Sequence, residues 1–244
     1  MRNLRLDICY DGTRYRGWQR LPGVENTIQG KIETVLSRVL GETIEISGSG
    51  RTDAGAHAMH QIANFHCKSD MLAAEILEQL RRYLPADIGI YSCEEVHDRF
   101  HARLNAKRKT YCYRIWNSKA PCVFENRFVT VLPEKLDIGA MEKAAAYLLG
   151  EHDFSAFCAA KGKNKSTVRR IDEVKIIRVD DEVRFLFTGN GFLYNMVRIL
   201  VGTLVEIGLH ERTPESISSL FGEKRAQAGK LMEAKGLCLM EVKY

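Results

Sequence analysis

The sequence predicts an α+β fold, and three features of its 244 residues indicate it. Short segments alternate apolar and polar residues with the period of a half-buried strand. Between them lie longer segments whose apolar residues recur at the spacing of amphipathic helices. Over the first hundred residues the order is strand, helix, strand, strand, helix, strand, which is that of a ferredoxin-like unit. The first part of the chain is therefore predicted to fold as one α/β half.

The elements of this half follow from the spacing of their apolar residues. Leu4, Leu6 and Ile8 alternate with polar neighbours and predict a strand over residues 3–10. A polar N-cap precedes the first helix and a glycine follows it. Helices are predicted over residues 27–40 and 70–83, and further strands over residues 42–46, 58–67 and 88–96.

The second half also alternates strands and helices, although no repeat of the first half is visible in its sequence. The pair Asp180-Asp181 between two apolar runs predicts a hairpin. The predicted strands cover residues 110–117, 171–179, 183–188 and 237–244, and the predicted helices cover residues 136–149, 192–207 and 214–220. We place the boundary after residue 105, which gives halves over residues 1–105 and 106–244.

Composition excludes several classes of protein. Hydrophobic residues make up 45%, enough for a sizeable core, and no apolar run approaches the roughly 20 residues of a membrane helix. The start of the chain enters a strand without a signal-like segment, which predicts a cytoplasmic protein. Seven cysteines without C-x-x-C spacing indicate reduced thiols rather than a disulfide or zinc framework, so no metal is expected. A net charge of +5 favours a polyanionic partner without requiring one.

A glycine-rich loop over residues 47–60 joins the two middle strands of the first half. It places three glycines within eight residues and presents one carboxylate, Asp53, beside Arg51 and Thr52. Glycines permit close backbone approach, so this loop is suited to holding Asp53 against a ligand. A long hairpin turn in which Asp53 caps a backbone N–H is the alternative.

Residues 10–20 interleave aromatic side chains with arginines, among them Arg14 and Arg16. This composition is suited to stacking on bases and neutralising phosphates. A surface loop with an aromatic lid is the alternative. The run over residues 161–170 carries five positive side chains and no acid, which is typical of a solvated loop or of an arm that contacts phosphates.

Two further residues are conspicuous in the second half. Tyr111 shares a strand face with Tyr113, which predicts either core residues or an aromatic presented at a site. Arg198 lies in a largely apolar helix, and burial of its charge requires an anion. An arginine that extends to the surface is the alternative. Three histidines near the glycine-rich loop have no carboxylate partner in the pattern and are interpreted as satisfied polar residues.

These segments resemble motifs of the tRNA pseudouridine synthase A (TruA) family. Gly48-Ser49-Gly50-Arg51-Thr52-Asp53-Ala54-Gly55 resembles its catalytic loop. Further segments that resemble the family are residues 10–19, 99–106, 110–117, 153–157, 192–198 and 237–244. Within residues 99–106, Leu104 and Asn105 replace the usual Phe and Ser. The resemblance covers nearly the whole chain in an ordered series.

The resemblance implies a pseudouridine synthase fold, with two ferredoxin-like halves that share a continuous, mostly antiparallel sheet and a central cleft. It implies Asp53 as the catalytic nucleophile, Tyr111 against the target base, and Arg198 paired with Asp53 to hold and aim it. The expected substrate-binding residues are Arg14, Arg16, Arg51, Thr52, His57, Arg103, Tyr111, Lys161, Lys163 and Arg169. The implied activity is conversion of uridine to pseudouridine around positions 38 to 40 of the tRNA anticodon stem-loop, by a homodimer without cofactor.

Two rival functions remain to be distinguished. An RNA-binding protein without catalysis would use the same aromatic and basic residues and leave RNA unchanged. A hydrolase would use Asp53 with His57 or His60 as acid and base, and would leave abasic sites or a cut strand.

Overall fold

The computed structural model describes residues 1–159 and 166–244, so the predicted phosphate contacts Lys161 and Lys163 lie outside the described residues. The chain forms two compact units, Met1–Lys107 with Leu239–Tyr244, and Arg108–Cys238. The described residues contain four α-helices: α1 (Ile28–Leu40), α2 (Ala73–Tyr83), α3 (Ile138–Ala146) and α4 (Met196–Gly208). They contain ten strands: β1 (Arg2–Tyr10), β2 (Ser47–Gly48), β3 (His57–Cys67), β4 (Ile88–Val96), β5 (Arg108–Trp116), β6 (Thr130–Val131), β7 (Gly150–Asp153), β8 (Val168–Val179), β9 (Glu182–Gly189) and β10 (Leu237–Lys243). The predicted α+β class is confirmed.

The first unit has the predicted order β1, α1, β2, β3, α2, β4. Its strands are arranged β4-β1-β3-β10, with β2 beside β3, and the pairings of β1 with β3 and β4 are antiparallel. Thr27 caps α1 by accepting a hydrogen bond from the Gly30 N–H at 3.2 Å, and Gly41 ends the helix in the left-handed conformation at φ 67°. The core of this unit is formed by fully buried residues of β1 and α1, namely Leu4, Leu6, Ile8, Ile28, Ile32 and Leu36.

The second unit has the strand order β5-β9-β8-β7, antiparallel throughout, with the short β6 parallel to β5. The predicted hairpin is confirmed, because β8 and β9 turn at Asp180, which adopts φ 50°. Helix α4 is buried on nearly all sides, as its apolar composition indicates. The predicted short helix is a 3-10 helix over Pro214–Leu220.

The predicted strand over residues 42–46 is wrong, since only Ser47 and Gly48 pair with β3. Side chains of helix α1, rather than a partner strand, accept hydrogen bonds from the main-chain N–H groups of this segment. The Ile44 N–H donates to Ser37 Oγ at 2.9 Å, and the Ile46 N–H donates to Glu33 Oε1 at 2.9 Å. A chain whose N–H groups are satisfied by side chains of a neighbouring helix does not need a ladder.

The predicted start of the apolar helix in the second half is also wrong. The helix begins at Met196 and not at residue 192, because Asn195 adopts the left-handed conformation with φ 62°. A left-handed residue cannot lie inside a right-handed helix. Residues 192–195 therefore form an irregular segment before α4.

Candidate active site

The loop between β2 and β3 presents Asp53 and is anchored at its first residues. Ser49 is fully buried, its N–H donates to the Ile62 carbonyl at 2.7 Å, and its hydroxyl donates to Gln61 Oε1. The same Gln61 donates through Nε2 to the Gly50 carbonyl at 3.0 Å. The buried Gln61 side chain thus holds two successive residues, Ser49 and Gly50. The loop therefore leaves the strand in a defined direction.

The tip of the loop is held by residues of the preceding loop, residues 11–20, and by Tyr10. The Thr52 and Tyr10 hydroxyls share a buried hydrogen bond of 2.8 Å. The Thr52 carbonyl accepts from the Trp18 N–H at 3.2 Å, and the Asp53 carbonyl accepts from the Ala56 N–H at 3.1 Å. The Asp53 side chain itself is half-buried. The carboxylate therefore sits at a turn whose main chain is fixed on both sides.

Two glycines allow the loop of residues 11–20 to approach this closely. A Cβ on Gly12 would lie 1.8 Å from the Ala56 carbonyl oxygen, and a Cβ on Gly17 would lie 2.8 Å from the Thr52 carbonyl oxygen. Gly17 also adopts φ 92°, outside the range of most L residues. Gly12 and Gly17 thus let the first loop pack closely against the main chain around Asp53.

His57 joins the two loops from the start of β3. Its side chain is buried, and its Nδ1 accepts a hydrogen bond from the Gly12 N–H at 3.0 Å. The Asp11 carboxylate lies 3.3 Å from the same nitrogen. His57 supports the loop pair, and its contact with substrate stays a prediction. His60 is exposed, and its Nδ1 lies 3.1 Å from the Asp7 carboxylate.

The prediction that the aromatic side chains of residues 10–20 stack on bases is wrong. Tyr10, Tyr15 and Trp18 are 5%, 4% and 2% exposed, because they form the core beneath the two loops. Tyr15 donates from its hydroxyl to Asp87 at 2.6 Å, and burial raises the pKa of that hydroxyl above its ordinary value. Arg14 pairs with the same carboxylate, also at 2.6 Å.

Among the arginines predicted to bind substrate, Arg16, Arg51 and Arg103 are exposed and have no ion-pair partner in the part of the chain that the structure describes. Arg51 is separated from Asp53 only by Thr52. Arg103 lies in a loop that two hydrogen bonds hold in place. The Ala102 N–H donates to Asn64 Oδ1 at 2.9 Å, and the Tyr244 hydroxyl donates to the Ala102 carbonyl at 2.7 Å. Their role in RNA binding stays a prediction.

Tyr111 and Arg198 belong to the second unit. Tyr111 lies on β5, is buried, and packs edge-on against Phe192 with 5.1 Å between ring centroids. Arg198 lies in the first turn of α4, half-buried, where its Nε donates to the Met232 carbonyl at 2.7 Å and its Nη1 donates to Asn195 Oδ1 at 2.9 Å. The side chain is thus fixed inside the unit, and its pairing with Asp53 stays a prediction.

Arg169, in the described part of the basic run, is half-buried at the start of β8. Its Nη1 donates to the nearby carbonyls of Ser166 and Val168 at 3.0 and 2.6 Å. No group of three or more His, Cys, Asp or Glu side chains that could hold a metal occurs in residues 1–159 and 166–244. None of the helices in the same ranges combines the length and apolar composition that a bilayer-crossing segment requires.

Sequence reasoning singles out Asp53, Tyr111 and Arg198, whose roles stay predictions, but it does not identify the residues that hold them. Tyr10 was interpreted for its aromatic ring, whereas its hydroxyl bonds the residue before Asp53. Asn195 was part of a motif without a role, although its side chain bonds Arg198. The available signal was the pair of glycines in residues 11–20, because glycines at such spacing indicate a close backbone approach.

Comparison with known proteins gives the family. The family model described as tRNA pseudouridine synthase matches residues 8–105 and 144–244. Among curated relatives, tRNA pseudouridine synthase A 2 of Bacillus cereus is 46% identical, and tRNA pseudouridine synthase A of Bacillus sp. (strain KSM-64) is 48% identical. tRNA pseudouridine synthase A 1 of Clostridium tetani is 46% identical. Each alignment covers 100% of this chain and 100% of the relative, and the matched ranges include Asp53, Arg198 and the loops around them. The chain therefore belongs to the tRNA pseudouridine synthase A family.

Proposed function

We propose that this protein converts uridine to pseudouridine in the anticodon stem-loop of tRNA, around positions 38 to 40, with Asp53 as nucleophile. Family membership supports the reaction and the tRNA substrate. The observation that carries the catalytic assignment is the Asp53 turn, a carboxylate on main chain fixed by Tyr10, Thr52 and Trp18. A hairpin turn with no further role would not need a second loop packed on it through two glycines.

The reaction is an isomerisation whose atoms balance without a second substrate. The bond between ribose C1′ and uracil N1 breaks, the base turns, and a bond between C1′ and C5 forms. C5 then loses its proton and N1 gains one. No electron donor, group donor or energy source is consumed, so we propose that no cofactor takes part. The Asp53 carboxylate either adds to uracil C6 or acts at ribose C1′, and it is regenerated in both routes.

Arg198 and Tyr111 are proposed to complete the site. An arginine fork paired with the Asp53 carboxylate would aim it at the reacting carbon. The Tyr111 ring would lie against the target base, with its hydroxyl available for the proton that leaves C5. The target nucleotide must leave its stack to reach these groups, which costs a few kcal/mol and is offset by contacts in the site.

The exposed arginines are proposed to bind the tRNA backbone. Arg16, Arg51 and Arg103 carry their charges at the surface, where phosphate contacts are electrostatic and weaken with salt. Lys161, Lys163 and Arg169 are proposed to act in the same way. We further propose that the protein acts in the cytoplasm and binds the tRNA as a homodimer. Sedimentation with and without tRNA tests the dimer.

The function is tested by release of tritium from tRNA transcripts that carry uridine labelled at C5. We expect the wild type to release the label and Asp53→Asn to lose release by about three orders of magnitude or more. Asp70→Asn is the matched control, because Asp70 is an exposed carboxylate of the same unit outside the two loops. Transcripts in which each of U38, U39 and U40 is replaced by cytidine identify the target.

The outcomes separate the rival functions. Release by the wild type with unchanged tRNA binding in Asp53→Asn supports the proposal. Binding without any change in RNA, across a panel of tRNAs, would establish the non-catalytic binder instead. Abasic sites or a cut strand would establish the hydrolase. Release that survives in Asp53→Asn would keep the reaction and refute the nucleophile.

A further inference from the structure

Asn195 has an unusual backbone conformation directly before helix α4. Its φ of 62° and ψ of 6° lie in the left-handed region, which asparagine adopts more readily than most residues but less readily than glycine. An asparagine before a helix usually accepts a hydrogen bond from an N–H of the first turn. The Asn195 side chain makes no such capping bond. Its Oδ1 accepts instead from Arg198 Nη1 at 2.9 Å.

A second acceptor for Arg198 is equally well fixed. The Met232 carbonyl accepts from Arg198 Nε at 2.7 Å, and Met232 is buried. The chain before Met232 is held by a hydrogen bond in which the Gly229 N–H donates to the buried Thr203 hydroxyl at 2.9 Å. The next carbonyl after Met232 accepts from the Tyr113 hydroxyl at 2.7 Å. The Met232 carbonyl therefore has little freedom to move, and it fixes the position of Arg198 Nε.

Two acceptors on different nitrogens fix the plane of a guanidinium group, because its five N–H donors have a rigid geometry. With Nε and Nη1 bonded inside the unit, the direction of Nη2 follows. One of the two acceptors is the main chain, which every residue supplies. The other is the Asn195 amide, and it depends on the identity of one side chain held in a left-handed conformation.

We propose that Asn195 is a positioning residue, which fixes the guanidinium plane of Arg198 so that it meets a carboxylate in one orientation. The inference rests on the proposed function, in which that carboxylate belongs to the nucleophile Asp53. In its left-handed conformation Asn195 makes no capping bond, and its amide oxygen bonds the Arg198 guanidinium instead.

Two variants separate this role from a merely structural one. Asn195→Gly removes the amide but retains the backbone conformation, which glycine adopts freely. Asn195→Asp keeps an oxygen acceptor and tolerates the same φ. We expect Asn195→Gly to lower kcat for tritium release about tenfold, since a small misplacement of a catalytic group has effects of this order. We expect its KM and its Tm to be unchanged. Asn195→Asp serves in the measurement of guanidinium rotation below.

A second measurement does not depend on activity. Nitrogen-15 NMR of arginine side chains reports rotation of the Arg198 guanidinium in the free full-length protein. We expect slow rotation in the wild type and in Asn195→Asp, and faster rotation in Asn195→Gly. If the wild type released no tritium, the proposed function would fail while this measurement still tested the positioning role.

Three results would overturn the inference. The first is unchanged Arg198 rotation in Asn195→Gly, whatever its rate of reaction. The second is wild-type kcat in Asn195→Gly from an otherwise active enzyme. The third is Arg198 rotation that is equally fast in Asn195→Gly and Asn195→Asp, which would show that the acceptor oxygen does not hold the guanidinium.

Discussion

Gly17→Ala is expected to slow the reaction by displacing the loop that carries Asp53. An added Cβ would lie 2.8 Å from the Thr52 carbonyl oxygen, whereas ordinary contact begins near 3.4 Å, so one of the two must move by about 0.6 Å. The oxygen belongs to the main chain next to Asp53 and accepts the Trp18 N–H. Since a misplacement of 1 Å can cost about a hundredfold in rate, a shift of this size predicts a kcat about tenfold lower.

The same substitution also strains the backbone, and a matched control removes that effect from the comparison. Gly17 adopts φ 92° and Gly23 adopts φ 72°, so alanine at either position costs on the order of 1–3 kcal/mol of stability. A Cβ on Gly23 meets nothing within 4 Å. Gly23→Ala is therefore expected to lower the free energy of unfolding without changing kcat.

The assay compares both variants with the wild type at a temperature where all are folded. Urea unfolding gives the loss of stability, and tritium release at saturating tRNA gives kcat. Wild-type kcat in Gly17→Ala would refute the claim that the two loops are packed as a unit around Asp53. An equal loss of kcat in Gly23→Ala would show that strain alone, rather than contact with Thr52, explains the effect.

Two further changes test the energetics of the described units. Tyr10→Phe removes the buried hydroxyl bonded to Thr52 and is expected to cost about 1 kcal/mol of stability in urea unfolding and to lower kcat; wild-type values for both would contradict this. Although burial raises the pKa of Glu182, hydrogen bonds from Arg114 and Arg184 lower it from 4.5 to about 2. The resulting stabilisation is present above pH 4.5 and is lost as pH falls toward 2. The free energy of unfolding of the wild type should therefore exceed that of Glu182→Gln by about 3 kcal/mol at pH 7 and by about 1 kcal/mol at pH 3. A difference that does not change between these pH values in urea unfolding would contradict the assignment.

The fold was predictable where local patterns and tertiary packing agree. The alternation in β1 and the cap and stop of α1 gave bounds within one residue of the observed ones. The prediction failed over residues 42–46, where Glu33 and Ser37 of α1 bond the main chain. Those acceptors are distant along the chain, so alternation alone does not reveal them.

The candidate site residues stand out in the sequence, whereas the residues that support them do not. Asp53 stood out because glycines surround it, and Arg198 because its neighbours are apolar. Their supports depend largely on main-chain atoms. Arg198 donates to the carbonyl of Met232, which lies far from it along the chain. Because any residue supplies a carbonyl, such a contact leaves no mark on the sequence.

The loop of residues 11–20 shows how a composition typical of RNA binding divides between two purposes. Its aromatic residues are buried beneath the Asp53 turn, and Gly12 and Gly17 bring its backbone against that turn. Its exposed Arg16 has no ion-pair partner among the described residues and remains available to phosphate. In the proposed function, this loop would bind phosphate through Arg16 while Gly12 and Gly17 let it pack on the turn that carries Asp53. The mixed composition of the segment suits both purposes, since aromatic packing alone would not bind RNA and exposed arginines alone would not hold the turn.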